Sequence, residues 1–256
     1  MKKPFMILIL ILCFGCSTKN VTIRPAPEKI TNEPAAEKTA NQPAPGSDIE
    51  EINKKILEEG YKKLISRNPK EAIDKYFNPV IDAYNSNYGN NGSHVYCSRG
   101  QAETMFYLLE AVSKSENAVV VSQIWADAFY LKGYASLDLG NIDDAETFIK
   151  KALELSPSNS MYLSELGHIY QVQRKWNEAM DLYKEAEESA RAYSPENLKH
   201  TEITRAIRGI GYCLIELGRL EEAEEEYKKC LEINENDKKA LNELKYIQSL
   251  RDKNNH

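Results

Sequence analysis

Few residues of this sequence have the types and the spacing that catalysis requires. His168 follows Gly167, and no serine, cysteine or aspartate stands in a triad-like pattern with it, so no positioned general base can be assigned. The sequence has no phosphate-binding loop, no dinucleotide fingerprint and no calcium-loop spacing. We therefore predict that the chain is not an enzyme and that it holds no metal and no cofactor.

One alternative stays open in the segment 87–125, where Tyr96, Cys97 and Arg99 lie close together. A phenol, a thiol and a guanidinium side by side could form a ligand-binding or enzymatic module. A catalytic cysteine needs a nearby base that lowers its pKa, and the sequence locates none. Cys97 could equally be buried or pair with a partner, so this module is kept as the alternative function.

Covalent attachment of a lipid is a third chemistry, and its residues lie at the N-terminus. Two lysines precede the ten-residue apolar run FMILILILCF, which is too short to span a bilayer, and Gly15 and Cys16 follow at once. This arrangement resembles a bacterial lipoprotein signal, in which the cysteine becomes the first residue and carries the lipid. The resemblance implies a signal peptide at 1–15, lipidation of Cys16 and, because Ser17 is not aspartate, a location at the outer membrane facing the periplasm.

The segment after Cys16 differs in composition from the rest of the chain. Residues 17–48 hold five of the ten prolines, none of the 15 tyrosines, and equal numbers of basic and acidic residues. Such a segment has too little apolar surface to bury. Residues 16–48 are therefore predicted to be the lipidated cysteine and a disordered, proline-rich tether.

The net charge narrows the classes of partner. The whole chain carries −6, the signal contributes +2 and the tether contributes 0, which leaves −8 for residues 49–256. A body of this charge is repelled by the phosphates of nucleic acid and by anionic lipid. No nucleic-acid partner is expected, and contact with the membrane is assigned to the lipid on Cys16.

Residues 126–237 contain an internal repeat. A glycine, an alanine 12 residues later and another small residue seven further on recur after 34 residues and again after 44, which is 34 plus a ten-residue insertion. Each unit is predicted to fold as two antiparallel helices, with the small residues where the helices approach closely. The three triplets are Gly133, Ala145 and Ala152; Gly167, Ala179 and Ala186; and Gly211, Ala223 and Cys230.

At these residues the sequence resembles the tetratricopeptide repeat family, whose pattern has Leu-Gly, Tyr, Gly, Ala, Tyr, Ala and Pro at a period of 34. Three units follow it, at 126–159, 160–193 and 204–237, although Lys132 and Arg174 stand where the pattern has Leu and Gly. The resemblance implies an all-α helical solenoid, preceded by the signal peptide and the disordered tether.

The flanks of the three units are less regular. Residues 49–125 are predicted to hold a degenerate repeat at 53–86 and an irregular helical segment, and Pro79 is expected to distort or end the second helix of that repeat. Residues 101–112 are predicted to form one amphipathic helix without a clear partner helix. Residues 238–256 are predicted to be a capping helix and a tail.

The resemblance also points to a binding surface. In this family the first helices line a concave groove, and side chains at repeat positions 2, 5, 9 and 12 usually contact the ligand. Tyrosine offers a large contact area at low entropy cost, which suits an extended peptide. The alternative is that these tyrosines pack against neighbouring first helices. The predicted groove residues are Tyr61, Tyr130, Tyr134, His168, Arg205, Arg208 and Tyr212.

Arg205 and Arg208 are the two basic residues of this set. Arg205 and Arg208 cluster at one end of the row and could take an acidic side chain or a carboxylate, or could remain solvated. The family's basic and asparagine clamp for a terminal carboxylate is not reproduced as a set. The sequence thus predicts an envelope-anchored adaptor that recruits a protein or peptide partner of unknown identity to the membrane, with a homo-oligomer as a further possibility.

Overall fold

The structure of the protein is a computed structural model that describes residues 47–89 and 92–254. Helices make up most of this part, which confirms the prediction of an all-α helical solenoid. The described residues form one compact unit with contiguous apolar cores of its own, as an independently folding domain has. The predicted signal peptide at 1–15, Cys16 and almost all of the tether at 16–48 lie outside the described residues.

Three antiparallel helix pairs and a final helix form the C-terminal part of the solenoid. Small residues sit where the two helices of a pair meet: a Cβ added at Gly133 would lie 2.8 Å from Ile149 Cδ1, and one at Gly211 would lie 2.8 Å from the Tyr227 ring. The pairs are α5 (Ile124–Asp138) with α6 (Ile142–Leu155), α7 (Ser160–Val172) with α8 (Trp176–Tyr193), and α9 (Glu196–Glu216) with α10 (Leu220–Ile233), followed by α11 (Lys238–Asn254).

The turn inside each helix pair uses a left-handed residue at the same repeat position. Gly140 and Gly218 have φ of +79° and +73°, and Arg67 and Arg174 have φ of +60° and +59°. Arg67 lies in the degenerate repeat at 53–86, so the N-terminal pair turns with the same geometry as the regular units. A left-handed backbone is strained for a residue with a Cβ, and two arginines therefore occupy positions that favour glycine.

This strain gives a stability prediction. Arg174→Gly is expected to raise the free energy of unfolding by about 1 kcal/mol, because it removes the left-handed penalty while the exposed Arg174 side chain makes no hydrogen bond or ion pair that would be lost. Urea denaturation measures the change. The reciprocal variant Gly218→Arg, at the same position of the next unit, is expected to lower the free energy of unfolding, and equal stability of both variants with the wild type would contradict the argument.

The N-terminal pair is formed by α1 (Ser47–Ile65) and a second, compound helix. That helix runs through α2 (Pro69–Ala72), a π-helical turn at Ile73–Phe77 and α3 (Asn78–Tyr88). Of the two expected effects of Pro79, the structure shows distortion of the helix and not an early end. The proline occupies the first turn of α3, directly after the π-helical turn, where its missing N–H removes no needed bond and the helix continues.

The segment after α3 is not a helical segment alone but a β-α-β unit. Strands β1 (His94–Ser98) and β2 (Ala118–Ser122) pair in parallel, with His94 opposite Ala118 and Ser98 opposite Ser122. Between them lies α4 (Gln101–Ser113), which confirms the amphipathic helix predicted at 101–112. Helix α4 therefore packs on a two-stranded sheet and not on a partner helix. It also forms the crossover between the two strands, because parallel strands cannot be joined by a tight turn.

The sheet has two covered faces. Tyr96 and Val120 pack with Tyr107 and Ala111 of α4, and alternate residues, including Val95 and Cys97, pack into the core of the solenoid. Successive strand residues point to opposite faces, so the sheet acts as a layer between α4 and the helix pairs.

The ten-residue insertion is helical and meets the β-α-β unit. It lengthens α8 and α9, and only Ser194 and Pro195 separate these helices. Arg99, which follows β1, pairs with Glu103 of α4 and with Glu202 of the insertion, at 2.6 and 2.7 Å, and all three side chains are buried. Ser194 donates a hydrogen bond to Glu202. The β-α-β unit and the ten-residue insertion, which both interrupt the 34-residue period, therefore pack on each other.

Candidate partner-binding groove

The concave side of the solenoid carries two adjoining cavities. The N-terminal cavity lies between α1 and α5, and the C-terminal groove is lined by α5, α7, α9 and α11. Tyr134 lines both, so the two cavities adjoin at its ring, and together they are called the trench below. Tyr61 and Tyr130 line the N-terminal cavity, and the other predicted groove residues, which are His168, Arg205, Arg208 and Tyr212, line the C-terminal groove.

The tyrosines of the trench fall into two groups. Tyr61, Tyr134 and Tyr212 are 50%, 40% and 41% exposed, so their rings reach solvent inside the trench. Tyr130 is largely covered, and its ring stacks on that of Tyr162 with 5.0 Å between the ring centroids. Burial also raises the pKa of its hydroxyl. Three tyrosines are therefore placed to touch a ligand, and Tyr130 supports the wall behind them.

The two groove arginines are already paired within the chain. Arg205 donates to Glu165 of α7, and Arg208 donates to Asp237, the residue before α11. Both carboxylates are buried, since Glu165 is 2% exposed and Asp237 is 8% exposed. Such pairing offsets the guanidinium charges and uses one N–H group of Arg205 and one of Arg208. The geometry gives no support to the expectation that these arginines take a partner's carboxylate.

The sequence analysis did not identify Glu165 and Asp237, the two residues that neutralise the groove arginines. Asp237 has two tasks, since its Oδ1 accepts the backbone N–H groups of Lys239 and Ala240 at the start of α11 while its Oδ2 accepts from Arg208. An aspartate directly before a helix is a capping signal that could have pointed to it. Glu165 sits inside α7 and has no comparable local signal.

Gln171 links three helices beneath the groove floor. Its side-chain amide donates to the backbone oxygen of Gly209 in α9 at 3.2 Å. Its carbonyl oxygen accepts from the Tyr183 hydroxyl of α8 at 3.1 Å. Because both ends of the amide are used, the floor of the groove is held in one arrangement without a ligand.

The alternative module at Tyr96, Cys97 and Arg99 is not assembled by the fold. Tyr96 and Cys97 point to opposite faces of the sheet, and Tyr96 stacks on Tyr107 with 4.9 Å between the ring centroids. Cys97 is fully buried, and burial raises the pKa of its thiol to about 12. Arg99 is held in the buried ion pairs described above. These three side chains do not converge on a common cavity.

The described residues show neither a cluster of metal ligands nor a helix that could span a membrane. Within 47–89 and 92–254, no group of three or more histidine, cysteine, aspartate or glutamate side chains is arranged to hold a metal ion. In that same part of the chain, none of the helices combines the length and the apolar character needed to cross a membrane.

The chain is similar to several solved structures. The chain is similar to the structure titled "Functional Characterization of Pseudomonas Aeruginosa pilF", with 16% identity over 81% of this chain and 72% of that one and a TM-score of 0.55. It is also similar to the first TPR of Spaghetti (RPAP3) bound to an HSP90 peptide, with 25% identity over 51% and 98% and a TM-score of 0.44. MamA from Desulfovibrio magneticus RS-1 matches with 16% identity over 78% and 85% and a TM-score of 0.49.

Sequence comparison locates the repeats themselves. No curated protein matches the chain. Two family models, each described as tetratricopeptide repeat, match residues 126–159 and 157–236. These residues are the helix pairs α5–α6, α7–α8 and α9–α10, apart from the first two residues of α5. The chain therefore contains tetratricopeptide repeats across residues 126–236.

Proposed function

We propose that this protein is an envelope-anchored adaptor that binds a protein or peptide segment along its concave trench and recruits it to the membrane. The observation that carries the proposal is the trench itself, in which Tyr61, Tyr134 and Tyr212 are exposed and Tyr134 lines both cavities. Exposed aromatic rings on a braced surface are typical of sites that bind extended peptides.

The charges of the trench favour a partner segment with few charges. Arg205 and Arg208 are neutralised by Glu165 and Asp237, and the remaining ionised side chains at the rim, such as Lys239 and Glu243, differ in sign. Because each guanidinium already faces a carboxylate of its own chain, a partner's carboxylate would gain less there than from an unpaired arginine. We therefore assign the trench to an extended, uncharged segment with aromatic or aliphatic side chains.

The anchoring half of the proposal rests on the N-terminal sequence. The apolar run before Gly15-Cys16 resembles a lipoprotein signal, and the following tether would hold the body away from the bilayer. Metabolic labelling with an alkyne fatty acid is expected to label the wild type and not Cys16→Ala. Label on both proteins, or on neither, would remove the anchor from the proposal.

The groove half predicts a loss of partner capture. Residues 47–254 are used as bait against an envelope extract, with Tyr134→Ala/Tyr212→Ala as the groove variant. Both rings are about 40% exposed, so their removal should leave the fold intact. Affinity for a captured partner is expected to fall roughly 10- to 100-fold, because aromatic residues central to an interface often contribute more than 1 kcal/mol each. Calorimetry with the purified partner measures the change.

The matched control is Leu139→Ala/Leu198→Ala. It removes similarly exposed apolar side chains, at 44% and 40%, from positions that do not line either cavity of the trench. Capture by this control should equal that of the wild type. If the groove variant retains the partner at full affinity, the binding site lies elsewhere on the chain and the trench is excluded as the site.

A further inference from the structure

Helix α4 exposes an apolar stripe on the side away from the sheet. The stripe is formed by Met105, Leu108, Leu109 and Val112, which are 64%, 42%, 62% and 74% exposed. Their spacing of i, i+3, i+4 and i+7 places them side by side along one face of the helix. Among the exposed large apolar residues of the described part of the chain, this is the longest set with such spacing.

The opposite side of α4 is firmly held. Tyr107 and Ala111 are buried against the sheet, and Glu103 is fully buried in its ion pair with Arg99. The Tyr107 hydroxyl also accepts the backbone N–H of Ser158 at 3.2 Å, beyond the end of α6. The helix cannot rotate to bury the stripe without breaking these contacts, so the stripe is a stable surface feature that another molecule would have to cover.

The spacing of the stripe fits a second copy of itself. Its four residues are symmetric about the point between Leu108 and Leu109. In an antiparallel pair related by a two-fold axis, Met105 faces Val112 of the other copy, and Leu108 faces Leu109. Each apolar side chain then meets another apolar side chain. We propose that this protein forms a homodimer in which the α4 stripes of two copies pack antiparallel against each other.

The charges around the stripe are compatible with this pairing. Gln101 and Ala102 continue the stripe at its N-terminal end, and neither carries a charge. The nearest charged side chains of the helix, Glu110 and Lys114, pair with each other at 2.6 Å within one copy. No residue of the stripe is charged, although the body as a whole carries −8. A second copy therefore offers the stripe an uncharged apolar surface of the same size, whereas a charged partner surface does not.

The size of the stripe sets the strength of the dimer. Its four side chains expose roughly 400 Å² per copy, about half of what each partner contributes to a standard interface. The dimer is therefore expected to be weak and to depend on concentration.

Sedimentation of residues 47–254 across the micromolar to millimolar range tests the proposal. The weight-average molecular mass of the wild type should rise towards twice the monomer value as the protein concentration increases. Leu109→Glu should stay monomeric at every concentration, since it places a carboxylate in the seam from a position that is already 62% exposed. The control Ile52→Glu changes a residue on α1 with 56% exposure and should dimerise like the wild type. A wild type that is monomeric throughout would overturn the proposal and assign the stripe to another occupant.

Disulfide trapping tests the antiparallel arrangement. Residues 105 and 112 are about 10 Å apart along the helix, so Val112→Cys alone places its two thiols beyond disulfide reach across the axis. A mixture of Met105→Cys and Val112→Cys proteins, oxidised with copper–phenanthroline, should form a cross-linked heterodimer. The native cysteines Cys97, Cys213 and Cys230 are buried and free, so they do not compete. Cross-linked homodimers of Val112→Cys, without a cross-linked heterodimer in the mixture, would contradict this pairing.

Discussion

Arg99→Met is expected to lower the free energy of unfolding by about 3–5 kcal/mol, because it leaves two buried carboxylates without their counter-charge. Glu103 is fully buried and Glu202 is 6% exposed, and Arg99 is the cation that joins them. Methionine fills a similar volume but offers no hydrogen bond. Chemical denaturation of residues 47–254, followed by far-ultraviolet circular dichroism, measures the loss.

Two further variants separate the loss of pairing from a general effect of the substitution. The triple variant Arg99→Met/Glu103→Gln/Glu202→Gln removes all three charges and is expected to recover a large part of the lost stability. Arg219→Met breaks an exposed pair with Glu222, at 2.6 Å, and should change stability far less than Arg99→Met does, because solvent screens the exposed charges. A similar loss in Arg99→Met and Arg219→Met would rule out burial as the cause.

The repeat units were predictable because close helix packing constrains residue size at fixed intervals. Gly133, Gly167 and Gly211 each face a side chain of the paired helix at a distance that leaves no room for a Cβ without rearrangement. Such a constraint appears in the sequence as a period of 34. The same period predicts where the turns lie, and Arg67 and Arg174 adopt the turn geometry although they are not glycine.

The β-α-β unit was not predicted, because pairing between distant segments leaves little local signal. Strands of five residues are as compatible with a short buried helix as with a sheet. The run Val119–Val121, rich in β-branched residues, was the available indication of a strand. The contact between Arg99 and Glu202 joins residues 103 positions apart, and it exists only because the two insertions lie on the same side of the solenoid.

The sequence predicted which residues line the candidate groove, but it did not predict how the groove arginines pair with carboxylates of the same chain. Repeat positions 5 and 9 place tyrosines on the first helices, and the structure brings those residues into one trench. The neutralisation of Arg205 by Glu165 depends on how neighbouring repeats stack, 40 residues apart. Two arginines in a repeat sequence thus say little about ligand charge until the carboxylates beside them are known, and the proposal of an uncharged partner segment rests on those carboxylates.

The second large effect is a pH dependence centred on Asp127. Its carboxylate accepts a hydrogen bond from the Tyr162 hydroxyl at 2.6 Å, and Gln123 donates to the same hydroxyl. Burial raises the pKa of the Asp127 carboxyl to about 6, although the hydrogen bonds from Tyr162 and Gln123 and the charge of Arg99 oppose the shift. In the unfolded chain this pKa returns to its ordinary value near 3.8.

The folded state therefore binds the Asp127 proton more tightly than the unfolded state does. Stability from this group is present below pH 4 and is lost as the pH rises through 6, which is opposite to the behaviour of carboxylates with lowered pKa, such as Glu146. The loss amounts to about 3 kcal/mol, since each pKa unit corresponds to about 1.4 kcal/mol. Asp127→Asn cannot ionise and keeps an oxygen that accepts from Tyr162.

Denaturation of the wild type and of Asp127→Asn at a series of pH values isolates this contribution from those of the other carboxylates. The variant should be the more stable protein at pH 7, and its advantage should shrink as the pH falls from 6 to 4. Asp181→Asn, which removes an exposed carboxylate, is measured beside it as the control for the loss of one negative charge. An advantage of Asp127→Asn that does not change with pH would mean that the carboxyl titrates in the folded protein as it does in the unfolded chain, and that burial beside Tyr162 does not set its pKa.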